Sequence, residues 1–83
     1  MITHNEVLQQ VNTVFRDILD NEEVTVDDNS TADDVEEWDS LTHIQLVVGV
    51  EKQFKIRFTS SEIGSFKNVG EMCEGILKKL AAK

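Results

Sequence analysis

Proline and tyrosine are absent from this 83-residue chain, and there is only one cysteine. Without proline, helix ends have to be set by capping residues and by where the apolar periodicity stops. A lone cysteine excludes an internal disulfide, and Cys73 falls on the apolar stripe of the last helical pattern, where cysteine acts as a small buried hydrophobe. No apolar run approaches the roughly 18 residues needed to cross a membrane. The opening MITHNEVLQQ has no basic region leading into an apolar stretch, so no secretory signal is expected and the expected compartment is the cytoplasm. Bases are missing from one half: residues 17–39 contain eleven acids and no base, which gives net charges of −11 over residues 1–40 and +3 over residues 41–83. Such a surface repels nucleic acid and anionic membrane and steers basic protein surfaces toward itself.

What is present reads as helix. A chain this short buries only about 60 to 65% of its unfolded surface, enough for a single domain over residues 1–83 with one small core and too little for a deep catalytic cleft, so no enzyme is expected. Thr3 with Glu6 fits a capping box, and Val7, Leu8, Val11, Val14, Phe15, Ile18 and Leu19 recur at helical spacing, predicting a first helix over about 4–19. The next 20 residues have no period, only scattered Val24, Val26, Val35 and Trp38; a connection this long in a small domain is usually functional. A second helix is expected over Ser40 to Phe54. "KIRF" then forms a short extended or turn segment anchored by Ile56 and Phe58, with a brief helical turn around Ser61 to Ile63. Asn68 with Glu71 offers another cap pair before Val69, Met72, Cys73, Ile76, Leu77 and Leu80, and Lys78 and Lys79 suit the dipole of that last helix. The expected fold is all-α: a small four-helix bundle of three main helices and one short one, with a long loop between the first two.

The second helix has more apolar surface than one core interface requires. Projected at 100 degrees per residue from Leu41, the polar set Gln45, Lys52, Gly49, Thr42 and Gln53 fills a sector of roughly 20 to 120 degrees, and most of the remainder is apolar. Either this helix is central to the bundle, or part of it meets something outside the chain.

Its start, "EEWDSLTH", admits several chemistries. Asp39 can simply cap the helix. Pairing Ser40 with His43 as a nucleophile and base fails for want of a Gly-x-Ser-x-Gly elbow and an oxyanion hole, in surroundings that oppose a developing negative charge. "DDNSTADDVEE" is rich in oxygen ligands, yet a calcium loop begun at Asp27 has Ala32 where glycine is needed and Trp38 where glutamate is needed. His4 and His43 are too few and too far apart in sequence to suggest zinc, so no metal is expected. The unpaired N–H groups at a helix start favour phosphate, but the neighbouring carboxylates would expel a free one; a phosphate here would have to be covalently installed.

The segment "WDSLTHIQLVVGVEKQF", set mid-chain after an acidic loop, resembles the acyl carrier proteins, and the likeness extends over the helix order and the "FKNVGEM" segment before the last helix. It implies that Ser40 receives 4'-phosphopantetheine from coenzyme A through a phosphodiester, and that the distal thiol of the arm holds an acyl or aminoacyl group as a thioester. Asp39 would cap the helix beside the site. Glu36, Glu37, Asp39, Leu41, Val48 and Glu51 would meet partner proteins, and Ile44, Leu46, Val47 and Val50 would shelter the acyl chain. The implied partners are a phosphopantetheinyl transferase and acyl-transferring, condensing or adenylating enzymes with basic surfaces, served by a monomeric carrier. Trp38 ahead of the serine, and Thr42, His43 and Gln45 after it, look more like specialised carriers than the fatty-acid branch, whose second helix holds more acids. His43 is expected to be solvated, the other role being an approach to the installed phosphate or a partner. Two readings stay open beside this one: an unmodified acidic helical adaptor, and an aminoacyl or peptidyl carrier.

Overall fold

A computed structural model of the chain describes residues 2–31 and 33–82; Met1, Lys83 and Ala32, the sixth position of the calcium-loop reading, lie outside the described residues. Four helices follow in order: α1 His4–Leu19, α2 Ser40–Phe54, α3 Ser60–Ser65 and α4 Val69–Ala82. None of the helices is long and apolar enough to cross a membrane among the described residues.

Caps set the boundaries where proline does not. The Thr3 hydroxyl accepts from the Glu6 amide at 3.2 Å while the Glu6 carboxylate accepts from the Thr3 amide at 3.2 Å, the expected capping box. α1 stops at Asp20 and α2 at Lys55, both in the left-handed region with φ of 52° and 58°, each returning its N–H to the carbonyl four residues back. Thr59 and Glu62 form a second box ahead of α3, which is longer than the single turn expected. Asn68 caps the amide of Glu71 at 2.8 Å as its spacing suggests, but the Glu71 carboxylate goes one residue further, to the Lys67 amide at 2.7 Å.

The element that packs both other long helices is α1. Its Val7, Val11 and Phe15 meet Leu46, Val50 and Phe54 of α2 and Val69, Met72 and Ile76 of α4 in a single core. α2 is therefore not central, and its orientation differs from the hydropathy projection. Two members of the sector read as polar face α1: a Cβ on Gly49 would lie 2.9 Å from Val14 Cγ1, and Gln53 Nε2 donates to Gln10 Oε1 at 2.8 Å. Glycine there permits the close approach of the two helices. With α1 on that side, the surplus apolar residues Leu41, Ile44 and Val48 are left in solvent, 69%, 51% and 40% exposed.

Residues 20–31 and 33–39 are pinned rather than loose. Buried Asn12 donates to the Val26 carbonyl at 3.0 Å and accepts from the Val26 amide at 2.7 Å. Arg16, the one base of the first half, donates from Nε to the Val24 carbonyl at 2.7 Å. Two amides of α4, Val69 and Gly70, donate to the carbonyls of Ser30 and Asp28 at 3.0 and 2.9 Å. Val26 and Trp38 then enter the core, while Val24 and Val35 stay half-buried. Of the two anchors expected in "KIRF", Ile56 is buried; Phe58 is only partly so and meets Phe66 edge-on at 5.1 Å. α3 contributes no buried side chain. Lys79, in the last turn of α4, holds α3 through Glu62 at 3.0 Å, while Lys78 is exposed.

Candidate functional site at the head of the second helix

Asp39 determines how the site is presented. Its carboxylate accepts from the amides of Leu41 at 3.0 Å and Thr42 at 2.9 Å. Thr42 completes the box by accepting the Asp39 amide on its hydroxyl at 2.7 Å and passing its own proton to the Glu37 carbonyl at 2.8 Å. The Thr42 amide, foremost, together with the Thr42 hydroxyl and the Leu41 amide, holds the Asp39 carboxyl below the usual carboxylate range. Asp39 thus occupies amides that a free phosphate would have needed, which leaves covalent attachment as the way to hold a phosphate here.

Ser40 is the first residue of α2, exposed, and its hydroxyl makes no hydrogen bond to any described residue. His43 is not its base, and it is not simply solvated. Its Nδ1 lies 3.1 Å from Trp38 Nε1, and its Nε2 lies 3.0 Å from the Ile63 carbonyl of α3. Both ring nitrogens are taken, so the expectation of a solvated imidazole is corrected: a buried indole and an α3 carbonyl recruit it. With no hydrogen-bonded base or other partner among the described residues, and with Glu36, Glu37 and Asp39 just ahead of it, the Ser40 hydroxyl is a weak nucleophile.

Beside Ser40 opens a groove of about 630 Å³, walled by Trp38, Asp39, His43 and Ile44 on one side and by Ser60, Ile63, Gly64, Phe66 and Lys67 on the other. Of the residues expected to shelter an acyl chain, Ile44 is on this groove, whereas Leu46, Val47 and Val50 are in the core, at most 1% exposed. Ile44 also continues the exposed apolar stripe of Leu41 and Val48, one helical turn apart in succession. Glu36, Glu37 and Asp39 are exposed just ahead of Ser40. Glu37 accepts from Asn21 at 2.9 Å, and Glu51, at the far end of the stripe, spends one oxygen on the Phe58 amide at 2.8 Å. Hydropathy carried no sign of Thr42, Ile63, Phe66 or Lys67 as parts of the site, because α3 meets α2 only in three dimensions.

These residues fit a phosphodiester-linked arm. The Ser40 hydroxyl is exposed and has no hydrogen-bond partner among the described residues, and a partly apolar groove opens beside it. A second juxtaposition, His4, Asp28 and Cys73, brings three ligand atoms within 4.8 Å of one another, which their separation in sequence concealed. There His4 Nε2 hydrogen-bonds Asp28 Oδ1 at 2.7 Å, and burial, foremost, pushes the Cys73 thiol up to about 12, keeping it protonated.

The family model described as a phosphopantetheine attachment site matches residues 9–76. The chain is 32% identical to an acyl carrier protein of Cyanidium caldarium over 85 aligned positions, covering 100% of this chain and 96% of that one. It is also similar to the solution structure of a holo acyl carrier protein from Geobacter metallireducens, with 34% identity and a TM-score of 0.85 over 92% of this chain and 87% of that one.

Proposed function

The chain belongs to the acyl carrier proteins, the phosphopantetheine-attachment family, and from that premise we propose that Ser40 is the residue that bears the 4'-phosphopantetheine arm. One observation carries the reading: among the described residues, Ser40 is the only serine at the head of a long helix, and it is exposed, without a hydrogen-bond partner, and on the lip of the groove. Asp39 and Thr42 lock the first turn so that the Ser40 side chain stays clear of its own amides. Because no described residue is hydrogen-bonded to the Ser40 hydroxyl to take its proton, a phosphopantetheinyl transferase must supply the base. The bound arm supplies a thiol on which an acyl or aminoacyl group rides as a thioester.

The chain itself presents cargo and does not transform it. Its docking face is the stripe Leu41, Ile44 and Val48, flanked by Glu36, Glu37 and Asp39, which suits enzymes with an apolar patch rimmed by bases. Tethering then raises the local concentration of cargo at whichever enzyme holds the carrier. We read residues 1–83 as one carrier domain working in the cytoplasm. Trp38 and His43, which set it apart from fatty-acid carriers, shape the groove and fit a specialised acyl pathway. The test is intact mass after incubation with coenzyme A and a broad-specificity transferase: the chain should gain one arm, and Ser40→Ala should gain none. An unmodified adaptor would show no gain in either.

A further inference from the structure

The groove has one movable wall. α3 is six residues long and has no fully buried side chain; Ile63 packs against the core only half-buried, and the other ties are the Glu62–Lys79 pair at 3.0 Å, the Phe58–Phe66 edge contact that follows it, and His43 on the Ile63 carbonyl. Elements held by so little open first. His43 is the contact that reaches α3 from the Ser40 side of the groove.

The chemistry of its two partners fixes its state. An indole Nε1–H can only donate, so His43 Nδ1 must be the bare, accepting nitrogen; a carbonyl can only accept, so Nε2 must carry the proton. Both partners demand the same neutral tautomer. The rings lie almost coplanar, 18° apart with centroids 5.9 Å apart, which is the arrangement of an in-plane hydrogen bond. Trp38 is itself fixed by burial and by an edge contact to Phe15 of α1 at 5.2 Å. A line of contacts therefore runs from α1 through Trp38 and His43 to α3, crossing the groove beside Ser40.

We propose that His43 is a positioning residue that sets the α3 wall of this groove while its imidazole is neutral, and that a second proton on the ring releases the wall. Protonated, Nδ1–H would face the Trp38 N–H donor to donor. The ring could not keep its place against the buried indole, and Nε2 would be carried off the Ile63 carbonyl. Few charges nearby compete for that role. On the loop, Asp39 is engaged as the α2 cap, Glu37 accepts from Asn21, and Glu36 is exposed; on α3, Glu62 is committed to its own cap and to Lys79 of α4; Lys67 shares the groove; α1 offers Phe15, which is uncharged. The consequence for cargo, a shelter that holds at neutral pH and loosens in acid, rests on the Ser40 reading; the device itself does not.

Both parts are measurable on the full, unmodified chain, so their outcome is independent of whether Ser40 is loaded. Trp38 is the only tryptophan and there is no tyrosine, so the emission comes from Trp38 alone, and the His43 variants separate this contact from the rest of its surroundings. The experiment follows Trp38 emission and α3 amide exchange, corrected for intrinsic chemistry, from about pH 8 to pH 5, in the wild type, His43→Gln and His43→Leu, all with His4→Gln to remove the other imidazole. Glutamine offers an accepting oxygen and a donating nitrogen but does not titrate. The wild-type background should show one emission step, with Ile63 and Gly64 amides exchanging about tenfold faster at the acid end. His43→Gln should show no step and slow exchange throughout; His43→Leu should show no step and fast exchange throughout. The same step in His43→Gln, or slow exchange in His43→Leu, overturns the proposal.

Discussion

Asn12 of α1 takes both backbone groups of Val26, donating to its carbonyl at 3.0 Å and accepting its amide at 2.7 Å, so that a side chain does the work of a strand neighbour. This pair is why the acidic connection has a fixed path: it inserts Val26 into the core and leaves the neighbouring carboxylates outside. Asn12→Ala strands both groups of Val26 in a buried setting, and unfolding free energy should fall by about 2 kcal/mol. For a domain of this size that is roughly 8 to 16 °C in Tm, to be read by thermal denaturation. A change within about 0.5 kcal/mol would mean that the loop does not depend on this bridge.

Asp39 carries a pH signature. Its carboxyl titrates below the ordinary carboxylate range because of the Thr42 amide first, and the Thr42 hydroxyl and Leu41 amide after it. A group with a depressed folded value contributes stability above its unfolded value, and loses it as pH falls through the folded one. Asparagine caps comparably but does not titrate. The Tm advantage of the wild type over Asp39→Asn should therefore be present at pH 7 and shrink below about pH 4. An advantage that does not vary with pH contradicts the assignment.

Gly49 tests the approach of α1 and α2. Alanine there gains about 1 kcal/mol of helix propensity but brings a Cβ to 2.9 Å from the stiff, β-branched Val14, an overpacking that costs about 1 to 3 kcal/mol. Gly49→Ala should be destabilising in the native background and stabilising when introduced into Val14→Ala. Chemical denaturation of the four proteins measures this, and the same sign in both backgrounds would show that the helices are not so close.

Eleven acids between residues 17 and 39 repel one another on a largely exposed surface. Millimolar magnesium or calcium should raise Tm relative to sodium chloride at matched ionic strength, because divalent ions neutralise clustered carboxylates more effectively. Equal melting in both salts would count against self-repulsion as a term in stability.

Helix extents were legible because their signals are local. Thr3 with Glu6, Asp39 with Ser40, and the spacing of Val7, Val11 and Phe15 all act within four residues, and α1 and α2 run over the residues expected. The outward stripe on α2 was legible as a surplus, but not its facing, since Gly49 has no hydropathy to mark a helix contact. Long polar ties were invisible for the same reason. Asn12 to Val26, Arg16 to Val24 and His43 to the Ile63 carbonyl join residues 14, 8 and 20 apart, and no periodicity encodes them. At the site, Ser40 and Asp39 could be found from a motif; the groove could not, because α3 is too short to have a stripe that would place it.

Site-resolved mass spectrometry of the modified chain tests the central claim most directly. After transfer from coenzyme A, the chain is digested and the added arm is assigned by fragmentation among its serines, including Ser30, Ser60, Ser61 and Ser65. The account predicts the arm on Ser40 alone. An arm found on any other serine, or a bare Ser40 after treatment with a transferase that loads a control carrier in the same reaction, would contradict it.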